Sequence, residues 1–197
     1  MMVRNGSGFI VNISSAGGLR YLFNVPYGVG KQALDRMASD MAEELKKKNV
    51  CMVSIWPGAV RTEFITNVIT EKKKDKVLTL QKFANFTRVS EIVSPKYESG
   101  FSQVTEMFER GETPEYPGKA IVALASDGRR MEKTGRILIT EDLGKEYGFK
   151  DIDGREPPNL RSITFLLLHS GHNQLAQWVP SWLKVPGWFL WGSASRL

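Results

Sequence analysis

A single cysteine, Cys51, and two histidines, His169 and His172, are all that the 197 residues offer to a disulfide framework or a metal cluster. Cys51 falls in the apolar run 50–56 and is expected to be a buried filler, as in a reducing compartment. The histidines sit together near the end of the chain with no cysteine or acidic cluster beside them, which excludes the usual zinc spacings. No apolar run reaches the ~18 residues that span a bilayer. The first twenty residues lack the charged-then-apolar pattern of a signal peptide. Glycines are present, but none follow G-x-G-x-x-G; the pair Gly17-Gly18 has the wrong spacing for a phosphate loop. Acidic residues are in the minority, 21 against 27 Lys and Arg, for a net charge of +6. Much of that excess sits in Lys46–Lys48, closing a helix where cations suit the carbonyl end, and in Lys72–Lys74, in a polar connection. No basic stripe is interleaved with aromatics, so nucleic acid is not an expected partner.

What is present is ordinary globular material, 42% hydrophobic and 24% charged, long enough for one domain with a sizeable core. Gly8–Ser15 is apolar and β-rich, as in a strand buried on both faces, and Ala16-Gly-Gly18 breaks it. Pro26 suits the first turn of a helix expected over 26–48. Leu34, Met37, Ala38, Met41 and Leu45 form its apolar stripe, with Asp35, Asp40, Glu43 and Glu44 on the other side. Val50–Trp56 is the next strand, stopped by Pro57-Gly58. Strand, helix and strand in that order make a βαβ unit, and ligands in such sheets bind beyond the carboxyl ends of the strands. Ser15 and Pro57 both fall at those ends.

Further along, short helices are expected at 63–69 and 104–110, around a Lys- and Ser-rich stretch. Thr113 is expected to cap a helix whose first position is Pro114 and which ends by Gly128. Arg136–Thr140 reads as a third strand, and Glu141–Gly144 as an unremarkable polar join. From Arg161 the composition shifts: Trp178, Trp182, Trp188 and Trp191 crowd the end, Trp178 and Trp182 on one helical face, with Lys184 and Arg196 adding charge. Such a tail lies in a membrane interface, or it packs on its own fold or a partner; both readings stay open.

The chemistry lies in Ser15 and in Tyr27-Gly-Val-Gly-Lys31. Residues four apart on a helix share a face, so the Lys31 ammonium can sit beside the Tyr27 phenol. A nearby cation favours phenolate and lowers a pKa that is otherwise about 10, which makes the phenol a usable acid or base. A serine hydroxyl from the neighbouring strand end could hold a carbonyl oxygen beside it. Together with Trp56-Pro-Gly-Ala-Val-Arg-Thr62, this order resembles the catalytic half of the short-chain dehydrogenase/reductase family. The likeness is local over 8–62 and looser over 115–155.

The resemblance implies an α/β fold: a Rossmann-like parallel sheet cut down to its C-terminal half, three strands with flanking helices. It implies NAD(P)H-dependent carbonyl reduction or alcohol oxidation, with Ser15, Tyr27 and Lys31 as the catalytic set. Ser14 competes with Ser15, which is preferred because Gly18 three residues later matches the family's Ser-x-x-Gly turn. Tyr27, Lys31, Pro57, Gly58, Val60 and Thr62 would contact NAD or NADP, and no metal is implied. The substrate would be a small carbonyl or alcohol, lipophilic in view of the apolar tail. Residues 1–155 would be the family domain, with a lid and substrate region near 63–114, and 156–197 an extension. The family's opening strand, Gly-rich loop and helix are not found, so the first remaining strand is expected to be an exposed sheet edge and activity to be impaired. The alternative is a catalytically silent module that pairs as a homo- or hetero-dimer through helix 26–48, or is held at a membrane by 173–197. The implied location is cytoplasmic, or peripheral on an intracellular membrane such as the endoplasmic reticulum.

Overall fold

Seven consecutive apolar or small residues, Val50–Trp56, form strand β2, and every one of them is buried. In the computed structural model, which describes residues 1–19, 21–72, 107–169, 172–180 and 182–194, this strand is the centre of a parallel sheet ordered β1-β2-β3. Strand β1 (Gly8–Ile13) pairs with it from Gly8 opposite Val50 to Ile13 opposite Ile55. Strand β3 (Ile137–Ile139) pairs on the other side, Ser54 opposite Ile137 and Trp56 opposite Ile139. The α/β class and the three parallel strands are those expected, and β1 is an edge of this sheet.

Alternate side chains of a strand point to opposite faces, and both faces of β2 are used. Cys51, Val53 and Ile55 pack with Ala120, Leu124 and Leu143 on one face. Met52 packs with Ala38 and Ala42 on the other. Cys51 is the buried filler expected: its thiol donates to the Arg130 carbonyl at 3.2 Å, and burial pushes its pKa up.

The helices follow in chain order. A single turn, α1 (Met2–Asn5), precedes β1, and a 3-10 turn at Ala16–Gly18 follows it. Helix α2 (Val25–Leu45) runs on into a 3-10 turn at Lys46–Lys48, so its bounds are close to the expected 26–48. Asn49 ends that turn in the left-handed region and anchors it by donating to the Gly6 carbonyl at 2.7 Å. Helix α3 (Glu63–Lys72) follows β2; most of the expected lid, 73–106, lies outside the described residues, as does part of the helix expected at 104–110. Helix α4 (Glu115–Ser126) precedes β3, and α5 (Thr140–Tyr147) leaves it directly. Helices α6 (Ile163–His169), α7 (Asn173–Ala176) and α8 (Gly187–Ala194) complete the chain. Among the described residues no helix is long and apolar enough to cross a membrane.

Several local expectations are corrected. Asp35 is not on the solvent side of α2 but buried beneath it, where its carboxylate accepts from Ser54 Oγ at 2.5 Å and from Trp56 Nε1 at 3.0 Å. Met37, assigned to the apolar stripe, is exposed instead. Thr113 does not cap α4: its backbone N–H donates to Asp151 at 2.8 Å and its hydroxyl donates to the same carboxylate, and Pro114 takes the cap position. The polar join at 141–144 is helical and mostly buried. Trp178 and Trp182 do not share a helical face, because α7 stops at Ala176, ahead of Pro180. Lys184 is not a free tail charge; with Arg161 it pairs with Asp142 of α5. Arg196 lies outside the described residues.

Removing the Asp35 carboxylate leaves two buried donors without an acceptor. Asp35→Ala is therefore expected to cost about 2–4 kcal/mol, and Asp35→Asn clearly less, as measured by urea unfolding.

Candidate active site

The carboxyl end of β1 is fixed by its first residue past the ladder. Ser14 is buried; its N–H donates to the Ile55 carbonyl at 2.8 Å and its hydroxyl donates to the Lys31 carbonyl at 2.9 Å. Those two bonds hold the ends of β1 and β2 side by side and tie both to α2. Ser15 is half-buried and caps the 3-10 turn, its Oγ accepting from Gly17 N at 3.1 Å. Of the two serines, Ser14 thus faces inward and Ser15 faces the turn.

That turn lies directly on the start of α2. A Cβ on Gly18 would fall 2.8 Å from the backbone nitrogen of Gln32, so only glycine permits this approach. A Cβ on Gly17 would fall 2.6 Å from Tyr27 Cε1; the phenol ring rests on that glycine. Asn24 caps α2, its side chain accepting from Tyr27 N at 2.9 Å. Phe23, in the left-handed region with φ 63°, sets its ring edge-on to Tyr27 with centroids 4.9 Å apart. One turn further, Lys31 Nζ donates to the Ile13 carbonyl at 3.0 Å and stands 5.6 Å from the Tyr27 ring centroid. That separation is within cation–π range. Ser15, Tyr27 and Lys31 are therefore brought together at the end of β1, the phenol between a serine-capped turn and an anchored ammonium.

Pro57, Gly58, Val60 and Thr62 leave the end of β2 next to this group, and a residue the sequence did not single out organises them. Gly58 N donates to Glu112 Oε1 at 2.9 Å, Glu112 N donates to the Ala59 carbonyl at 3.0 Å, and Arg61 N donates to the Glu112 carbonyl at 2.8 Å. Val60 bridges Glu112 in parallel register. Thr62 heads α3, its hydroxyl accepting from Ile65 N at 3.4 Å. Arg61 reaches Asp153 at 2.8 Å.

Glu112 is wholly buried, and burial pushes its pKa up to about 7 despite hydrogen bonds from Thr140 and Gly58. Glu141, beside it on α5, is raised too, first by burial and then by the Glu112 charge. Burial also raises the Tyr116 phenol of α4. A carboxyl that binds its proton more tightly folded than unfolded stabilises the fold fully below the unfolded pKa. That stabilisation disappears as pH rises through the folded value. Between about pH 5 and pH 8, the contribution of Glu112 to stability should therefore fall by roughly 3 kcal/mol as pH rises. Glu112→Gln should flatten that slope in urea titrations at several pH values.

Residues 1–73 match the family model described as short chain dehydrogenase. The human protein dehydrogenase/reductase SDR family member 1 is 40% identical over 191 residues, covering 96% of this chain and 54% of its own length. The mouse protein of the same name is 37% identical over 189 residues, covering 95% of this chain and 54% of its own. The chain thus spans about half the length of the curated relatives it matches. Among solved structures, levodione reductase superposes with a TM-score of 0.47 at 20% identity, over 75% of this chain and 50% of that one. On its sequence the chain belongs to the short-chain dehydrogenase/reductase family.

Proposed function

We propose that Ser15, Tyr27 and Lys31 form a proton-transfer site for NAD(P)-dependent interconversion of a small carbonyl compound and its alcohol. The observation that carries this reading is the junction at the end of β1, where Lys31 Nζ is tied to the Ile13 carbonyl beneath the Tyr27 ring. A phenol held in place at a strand end can act as general acid or base toward a substrate oxygen within hydrogen-bond reach. Tyr27 would give its proton to the carbonyl oxygen during reduction and take it back during oxidation. Ser15 would donate to the same oxygen and polarise it.

The residues present fit the nicotinamide end of a dinucleotide. An ammonium has three donors and Ile13 takes one, so Lys31 can also serve ribose hydroxyls. Pro57, Gly58, Val60 and Thr62 would border the nicotinamide ring from the end of β2. The cofactor itself supplies the hydride. Substrates of lipophilic character suit the cleft beside Gly58, which Pro157, Pro158, Leu160 and Phe165 help to line. Residues 1–155 would be the catalytic body.

A titration with NADH and NADPH followed by tryptophan quenching tests the cofactor reading. Saturable binding below about 1 mM is expected, the upper end of ordinary enzyme constants. Absence of saturation would overturn it. Tyr27→Phe should leave that binding within a few-fold and lower turnover by about 10²–10⁴. Lys31→Ala should weaken both.

A second reading concerns partners. Trp178, Trp182 and Trp188 are 86%, 72% and 73% exposed, and their amphipathic rings suit a membrane interface. Residues 173–197 would then hold the protein on the cytoplasmic side of an intracellular membrane, the endoplasmic reticulum being one such surface. Replacing the three tryptophans by alanine should abolish co-sedimentation with anionic vesicles; unchanged sedimentation removes the reading. Exposed Val29 and Met37 on α2 support pairing through that helix, which concentration-dependent sedimentation of the whole chain tests.

A further inference from the structure

Two carboxyl groups meet beneath Gly58 from different parts of the chain, Glu112 just before α4 and Glu141 in the first turn of α5. A Cβ on Gly58 would lie 2.6 Å from Glu141 Oε1 and 3.7 Å from the Glu112 carboxyl carbon. Thr140 Oγ1 stands 2.9 Å from Glu112 Oε2 and 3.4 Å from Glu141 Oε2. A hydroxyl has one hydrogen, so it serves one of the two, and the shorter contact is to Glu112. Glu141 is 2% exposed, and its Oε1 is a buried oxygen that no group among the described residues hydrogen-bonds.

Charge around the pair deepens the problem. Among the described residues the ion pairs involve neither carboxyl. The groups that face them are Asp151 from the segment after α5, Asp142 from α5 itself and the Tyr116 hydroxyl from α4. Arg161 and Lys184 are committed to Asp142, and Arg61, whose backbone N–H donates to the Glu112 carbonyl, pairs with Asp153. Two adjacent anions are costly to hold in such a place, where among the described residues no counter-ion compensates them.

We propose that Glu112 and Glu141 are a proton-sharing carboxyl pair that positions the Pro57–Thr62 turn, with Glu112 as the acceptor that latches Gly58 and Glu141 as the neutral partner. Loss of the shared proton puts two charges under Gly58, and their repulsion loosens the turn from its seat on Glu112. The pair thus makes the geometry at the end of β2 depend on pH. This goes beyond the cofactor reading and does not rest on it.

The test is an NMR titration from about pH 4 to about pH 9 of the whole chain, with glutamate carboxyl carbons and glycine amides labelled. In the wild type, one glutamate carboxyl should bind its proton at least tenfold more tightly than free glutamate. The Gly58 amide proton should shift with the same midpoint. In Glu112→Gln the Gly58 response should vanish, and the acid dissociation constant of Glu141 should rise at least tenfold. Should every glutamate titrate in the ordinary range, or should the Gly58 amide stay flat, the proposal is overturned. The wild-type titration alone decides this if the variant does not fold. Cofactor binding, measured separately, can fail without touching this result.

Discussion

Complete burial of β2 is the constraint from which the other arrangements follow. A strand with no exposed residue must be paired along both edges and covered on both faces, so β1, β3, α2 and the α4–α5 pair all take their positions from it. Ser54 and Trp56, polar atoms within that strand, then require an acceptor on the α2 side, and Asp35 supplies it. The same carboxylate fixes the rotation of α2 about its own axis. Rotation of α2 in turn decides where Tyr27 and Lys31 stand relative to the end of β1. A buried acid eight residues from the phenol is therefore part of how the phenol is aimed.

The second organising contact is backbone on backbone. At Gly18 the turn after β1 touches the second turn of α2 with no side chain between them. Close approach of this kind brings the Ser15 cap and the Tyr27 ring together more rigidly than side-chain packing alone, because peptide planes do not change rotamer. Phe23 in the left-handed region marks where the chain bends sharply to allow it. On the far side of the sheet end, Glu112 does for the Pro57–Thr62 turn what Gly18 does for Ser15, with hydrogen bonds in place of contact.

Legibility in the sequence followed the range of each signal. Val50–Trp56 is an uninterrupted apolar run bounded by Asn49 and Pro57-Gly58, so its bounds were readable to the residue. Helix α2 carries its own start signal in Pro26, and Tyr27 and Lys31 stand at helical spacing, whereas the choice of Ser15 over Ser14 rested on the family resemblance. Asp35 was misread because an amphipathic pattern assigns every carboxylate to water, and its partners lie nineteen and twenty-one positions away. Thr113 was misread for a similar reason: a cap motif is local, whereas Asp151, which takes its hydroxyl, is 38 residues on. Glu141 was passed over because it stands in the polar stretch Thr140–Asp142, and nothing in that stretch points to Glu112. Trp178 and Trp182 had helical spacing, and Pro180 between them was the overlooked breaker.

The indole of Trp56 has an optical consequence. It is sealed beside a carboxylate in the interior, whereas Trp178, Trp182 and Trp188 stand in water at the other end of the chain. Emission from these four indoles is thus a sum of a shielded, short-wavelength component and a collisionally quenchable, long-wavelength one. A dissolved quencher such as acrylamide silences the second and leaves the first, so a single chain carries separate light sources for its sheet and for its tail.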